Sequence, residues 1–243
     1  MTHILRVQVA AKNFADKQIL RDIEISVDAQ EIIALVGPSG CGKSTLLRII
    51  AGLDRDFDGN VTFAGRRHDH ITPEIGFIFQ EPRLFPWLTV ADNVAFSNPR
   101  ATEGARVERL LADVGLSGFG TALPKQLSGG QAQRASIARG LYSQPRLLLL
   151  DEPFSAVDAF TRMKLQDLIV QVARQYKITL ILVTHDIDEA LFLSDRVLIM
   201  NSQPGEIRSI LPVSAPRPRD RRMTELTDLR AGVLTELYEA HAL

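Results

Sequence analysis

Apolar and polar residues alternate along Leu5 to Val9 and again along Ile19 to Val27, which predicts two half-buried strands. Glu31 to Val36 reads as a third strand, and its continuous apolar run fits a sheet interior. That run stops at Gly37, and a helical pattern follows over Lys43 to Ile50. Gly52 and the acidic stretch Asp54 to Gly59 break it. Val61 to Phe63 and Ile75 to Phe79 are short strands, and Pro82 and Pro86 mark a loop. From Val90 the period lengthens to that of helices: Val90 to Phe96, Arg106 to Val114 and Gln131 to Leu141. Strand Leu147 to Leu150, helix Phe160 to Tyr176, strand Ile178 to Val183, helix Asp186 to Leu193 and strand Arg196 to Met200 then alternate.

Strands alternating with helices imply a parallel sheet with covered faces. The expectation is one α/β core from 1–84 and 146–212, a helical insert over 85–145, and a tail over 213–243. After Met223 the tail places Leu226, Leu229, Val233 and Leu237 near one face of an amphipathic helix. No internal repeat stands out.

Composition narrows the class. Apolar residues make up 45% of 243 positions, the ordinary globular share, and the net charge of -1 gives no electrostatic reason to bind nucleic acid. A basic cluster at Arg217, Arg219, Arg221 and Arg222, interleaved with Pro216 and Pro218 and broken by Asp220, reads as a solvated linker. The single cysteine, Cys41, precludes an intrachain disulfide and fits a reducing compartment. The N-terminus lacks the pattern of a signal peptide, and runs such as Ile32 to Val36 fall far short of the ~20 residues that cross a bilayer. A chain soluble by itself is expected, with any membrane role supplied by a partner.

The most specific pattern is Gly37-Pro38-Ser39-Gly40-Cys41-Gly42-Lys43-Ser44, which fits G-x-x-x-x-G-K-[ST] between a strand and a helix. A match arises by chance in on the order of one chain per hundred, and this context makes it rarer. Such a loop turns its backbone N–H groups inward at phosphate oxygens, at the positive end of a helix dipole. Lys43 is placed to reach the β- and γ-phosphates, Ser44 to ligate Mg²⁺, and Thr45 to meet the α-phosphate side. Cys41 is a bystander whose modification is expected to block nucleotide binding.

Two further features belong beside that loop. Leu147 to Leu150 ends in Asp151 and Glu152. In phosphate-loop enzymes an aspartate at a neighbouring strand end holds Mg²⁺, which suits Asp151, and Glu152 can act as general base on a water. Alone, the pair could equally cap a buried strand. Leu127-Ser128-Gly129-Gly130-Gln131 opens a helix, with Ser128 as its cap and its N–H groups as a second anion site.

Phosphate loop, Leu127 to Gln131 and Leu147 to Glu152, in this order, resemble the nucleotide-binding subunit of an ATP-binding-cassette transporter. Gln80 after the Ile75 to Phe79 strand, His185 in Val183-Thr184-His185-Asp186, and Ser155-Ala156-Val157-Asp158 fit the same family, over nearly all of residues 3 to 212. The resemblance implies a phosphate-loop core with an antiparallel β subdomain and an α-helical insert. It also implies a composite site: two copies pack head to tail, with ATP held between Gly37 to Thr45 of one and Ser128, Gly129, Gly130 and Gln131 of the other. Gln80 then meets Mg²⁺ and the attacking water where a transmembrane permease docks. His185 holds the γ-phosphate, Asp158 communicates across the dimer, and Phe14 stacks on adenine where a tyrosine is common. Ala132 and Val157 depart from the usual residues without removing a catalytic group.

Gln80 to Val94 is similar to the corresponding segment of importers of the nitrate, sulfonate and taurine group, as is Pro216 to Arg222. Leu84, Phe85 and Trp87 are apolar loop residues, which suggests a contact surface. The chain ends before the β-rich regulatory domain of sugar and polyamine importers. The resemblance thus implies an ATPase peripheral to the cytoplasmic face of the membrane, powering import of a small anion delivered by a solute-binding protein. Importers of pyrimidine precursors or aromatic acids are related alternatives. A soluble, non-transport cassette is a further alternative, although those usually carry two cassettes or a long coiled-coil insert. A small GTPase would want a guanine-reading motif, which is not found.

Overall fold

A computed structural model describes residues 3–97 and 104–241. In chain order its strands are β1 (Leu5–Phe14), β2 (Lys17–Val27), β3 (Ile32–Val36), β4 (Asp58–Phe63), β5 (Arg66–Arg67), β6 (Ile75–Ile78), β7 (Leu147–Asp151), β8 (Thr179–Val183), β9 (Arg196–Met200) and β10 (Ile207–Pro212). Its helices are α1 (Lys43–Ile50), α2 (Val90–Val94), α3 (Gly104–Asp113), α4 (Gly129–Tyr142), α5 (Ala159–Tyr176), α6 (Ile187–Leu193) and α7 (Thr224–His241). Contacts divide the chain into two compact units, Met1–Thr72 with Thr179–Leu243, and Pro73–Ile178. Within the expected insert and tail, 98–103 and 242–243 lie outside the described residues.

In the first unit, β2, β1, β4 and β5 form an antiparallel sheet in that order. The period-two pattern of β1 buries Leu5, Val7 and Val9 and exposes the residues between them. A second set of strands has β3 between β8 and β9, parallel to both. Every side chain of β3 and β8 is buried, as their unbroken aliphatic runs require. β10 pairs antiparallel with β9. It was not expected from the sequence, because its Arg208 and Ser209 interrupt any clean apolar alternation.

The tail helix forms as its spacing predicts. Leu226 and Val233 of α7 join a buried cluster with Val36, Ala190, Leu191 and Ile199, and Leu229 and Leu237 pack partly buried against it. The basic segment before α7 is not the solvated linker expected. Arg217 and Arg219 are half-buried and bonded to backbone carbonyls of α6 and the residues after it. The Arg221 guanidinium lies 3.8 Å from the centroid of the Phe192 ring. Only Arg222 behaves as expected, exposed and paired with Asp220, whose carboxyl it holds well below the usual range.

In the second unit, β6 and β7 pair in parallel. α4 buries Ala135, Ile137, Ala138 and Leu141, and α5 buries Leu165, Ile169 and Val172. Tyr176 at the end of α5 donates its hydroxyl to Asp113 at the end of α3; burial, then that bond, pushes the phenol up to about 12.

Candidate nucleotide site

The ends of the parallel strands place the predicted residues. In the first unit Leu35 of β3 stands opposite Val183 of β8. Gly37 and His185 each follow two residues later, so the phosphate loop and the histidine leave adjacent strands at the same end. Ligand sites of open α/β sheets lie there, beyond the carboxyl ends of the strands.

Gly42 is the N-cap of α1, with φ of 99°. That left-handed value suits glycine, and a Cβ there would come within 2.5 Å of Leu20. Lys43 is 7% exposed, and its Nζ donates to Gly37 O and Pro38 O at 2.8 Å each. The ammonium is therefore held inside the loop by carbonyl oxygens, partners that phosphate oxygens can replace. Ser44 and Thr45 are half-buried on the first turn of α1. Ser39 and Gly40 are exposed, and Gln203, in the loop after β9, donates its side-chain N–H to Gly40 O at 2.8 Å. Pro38 is buried.

Cys41 is 1% exposed, and burial pushes its thiol up. A thiol reagent reaches Cys41 only when the loop opens, so its reaction with the folded protein is slow.

His185 is exposed on a tied turn. Thr184 before it donates its hydroxyl to the buried Glu189 at 2.6 Å and accepts from Asp186 N at 3.0 Å. Asp186 caps α6, accepting from the N–H groups of Asp188 and Glu189. Phe14, at the end of β1, is 50% exposed, with Lys12 Nζ 4.7 Å from its centroid. The ring keeps open surface for stacking.

In the second unit Ile78 of β6 stands opposite Leu150 of β7. Gln80, which is exposed, and the pair Asp151 and Glu152 therefore leave adjacent strands at the same end. Glu152 has φ of 46°, a left-handed backbone that costs a non-glycine residue about 1–3 kcal/mol. The turn persists because Ser155 donates to Glu152 O through both its N–H, at 3.3 Å, and its hydroxyl, at 3.0 Å. Strain of this kind collects at working sites, where it re-aims a side chain.

Ser128 caps α4 as predicted. Its hydroxyl accepts from Gln131 N at 3.3 Å, and Gln131 Oε1 accepts from Ser128 N at 2.9 Å. This reciprocal box leaves Gly129 and Gly130 as the bare part of the turn. A Cβ on Gly130 would come within 2.5 Å of Thr161. Asp158 caps α5, accepting from Phe160 N and Thr161 N, and those donors lower its pKa.

Three supporting residues escaped the sequence reading. Arg139 on α4 donates to Pro82 O and Arg83 O at 2.7 Å each, tying down the loop after Gln80; burial lowers its pKa. Asn93, fully buried, accepts from Phe85 N at 2.7 Å and donates to Phe85 O, Leu88 O and Thr89 O, which frames the loop carrying exposed Trp87. Glu189 is the third. No spacing rule links these residues to their partners, so only the fold reveals them.

Among the described residues no group of three or more His, Cys, Asp or Glu could hold a metal ion. The residues expected to meet the metal, Ser44 in the first unit and Gln80 and Asp151 in the second, are oxygen donors. Hard donors of that kind suit Mg²⁺, which keeps waters and takes phosphate oxygens as ligands. No helix of the described residues is long and apolar enough to cross a membrane.

The model of the ABC transporter family matches residues 20–155. The aliphatic sulfonates import ATP-binding protein SsuB 1 of Pseudomonas savastanoi pv. phaseolicola is 58% identical over 240 residues, 99% of this chain and 98% of that protein. A protein of the same name from Pseudomonas aeruginosa is 55% identical over 249 residues, covering 100% of both. Among solved structures, the dimeric post-hydrolysis state of the ATP-binding cassette MJ0796 bound to ADP and Pi has a TM-score of 0.75 at 28% identity, over 87% of this chain and 100% of that one. CbiO1 from Clostridium perfringens, part of the ABC transporter complex cbiONQ, has a TM-score of 0.80 at 27% identity, over 97% and 100%. The motif order, the strand ends and the match over more than half of its length agree: the chain belongs to the ABC transporter family and has the fold of its ATPase domain.

Proposed function

We propose that this chain is the ATP-hydrolysing subunit of an importer for aliphatic sulfonates. The observation that carries the solute is the 58% identity, along nearly the whole chain, to a protein named for sulfonate import. Deleting the gene should abolish growth on an alkanesulfonate as sole sulfur source and spare growth on sulfate. Unimpaired growth on the sulfonate overturns the solute reading.

The proposed chemistry uses the two groups of strand-end residues. Backbone N–H groups of Gly37 to Thr45 wrap the phosphates. Lys43 exchanges its carbonyl partners for β- and γ-phosphate oxygens and stabilises charge that builds on them as the bond to ADP breaks. Ser44, Gln80 and Asp151 would hold Mg²⁺, which would supply positive charge to neutralise the phosphates. Glu152 takes the proton of the attacking water, Gln80 orients that water, and His185 hydrogen-bonds the γ-phosphate. Phe14 stacks on adenine. Ser128, Gly129, Gly130 and Gln131 act on the ATP of a second copy in a head-to-tail dimer, with Asp158 at that dimer interface. The helical segment 85–145, with exposed Trp87, is the proposed docking side for a permease at the cytoplasmic face of the membrane. A solute-binding protein delivers the anion from the other side.

A further inference from the structure

α6 is a seven-residue helix that begins two positions after His185. The last four carbonyls of a helix have no partner inside it, and in so short a helix they are most of its acceptors. Each of the four is satisfied here, two by one arginine and a third by another. Ser194 donates to Ala190 O through its N–H, at 3.0 Å, and its hydroxyl, at 2.6 Å. Arg219 Nη1 donates to Leu191 O at 2.9 Å and to Phe192 O at 3.1 Å. Arg217 Nη2 donates to Leu193 O.

Arg219 also reaches Ser194 O, Val213 O and Ala215 O, so one guanidinium joins the end of α6 to the start of the tail. Arg217 adds a bond to Asp195 at 3.0 Å. Two cations at a helix C-terminus also complement its dipole. Pro216 and Pro218 flank Arg217 and remove two backbone donors, so this stretch makes its contacts through side chains.

The other end of α6 is held by the same tail. Arg230 of α7 pairs with Asp188 at 3.2 Å, in the first turn of α6. Between the two ends, Ala190 and Leu191 pack in the cluster that holds Leu226 and Val233 of α7. The turn from Thr184 to Glu189 is closed by its own bonds, so α6 and His185 form one stiff piece. At 1.5 Å per residue α6 spans only ~9 Å from Ile187 to Leu193, and His185 stands two residues before it, so a shift at its far end reaches the imidazole.

We propose that Arg219, with Arg217 beside it, is a positioning residue for His185: the tail sets where α6 stands, and α6 sets where the imidazole is presented. The inference rests on the reading of His185 as the γ-phosphate contact.

The test uses the purified full-length chain and compares Arg219→Ala, Arg219→Lys and His185→Ala with wild type. ATP turnover gives kcat and KM, and a fluorescent ATP analogue gives Kd. Misplacing a reacting group from a distance can cost up to about a hundredfold, so Arg219→Ala should lose roughly ten- to hundredfold in kcat, with KM and Kd within about twofold. Lysine keeps the charge but cannot fork over several carbonyls, so Arg219→Lys should fall between wild type and alanine. If Arg219→Ala fails to fold, a wild-type kcat in Arg219→Lys overturns the proposal. A folded Arg219→Ala with unchanged kcat, or with Kd weakened as much as kcat, also overturns it. His185→Ala separates the two failures. If it turns over normally, the reading of His185 is wrong; if it is inactive while the Arg219 variants keep the wild-type kcat, the inference about the tail is wrong.

Discussion

The phosphate loop and the acidic turn are both strand-to-loop transitions at the carboxyl end of a parallel strand, yet they are stabilised in opposite ways. The phosphate loop places its demanding residue in glycine positions and satisfies its buried ammonium with its own carbonyls. The acidic turn places the demanding backbone angle on Glu152 itself and restrains it with Ser155. A loop that binds needs donors ready and easily released. A turn that presents a base needs one carboxylate aimed and unable to relax. Substitutions in the first should therefore act on binding, and in the second on turnover.

The largest expected effect is that of Glu152→Gln, which keeps the shape and removes the proposed base. General-base losses run to roughly 10²–10⁴-fold, so kcat should fall by that much while ATP binding persists. Near-normal turnover in a steady-state assay removes Glu152 from the role. Lys43→Ala should behave oppositely, with ATP affinity reduced roughly ten- to hundredfold, the worth of a charge-assisted bond. Equilibrium binding checks it, and a pure kcat effect breaks the contrast.

Labelling of Cys41 follows. Because burial raises its thiol pKa, thiolate is scarce through neutral pH and grows only as pH climbs past the usual thiol range. Maleimide should react about tenfold or more slowly in the folded chain than in denaturant, since the loop must open first. Mass spectrometry over time reads this, and equal rates contradict the buried placement. The smallest effect belongs to Ser155→Ala. It deletes one hydrogen bond that restrains Glu152, worth about 1 kcal/mol, so kcat should drop about fivefold with ATP affinity intact. An unchanged kcat shows that the turn holds its angle without that hydroxyl.

What the sequence revealed follows the range of each interaction. Gly37 to Thr45 were legible because nine consecutive residues carry every group of the loop. Ser128 as the cap of α4 was legible because a cap lies within three positions of the N–H it satisfies. The face of α7 followed from helical period. Arg217 and Arg219 were misread because their partners lie 24 to 28 residues away in α6, and a Pro-Arg repeat alone resembles a solvated stretch. Asn93 stayed hidden because a buried asparagine is recognised only by the carbonyls around it. β10 was missed because an edge strand need not alternate cleanly. The left-handed angle of Glu152 has no signature in residue type.

Asn93 has a consequence for encounter rates. Its side chain bonds the backbone on both sides of Trp87, so the indole stands 72% exposed on a loop already confined by the fold. A surface ordered before contact loses little freedom when something settles on it. Its association should then be limited by collision and orientation, with no waiting step for a loop to find its shape.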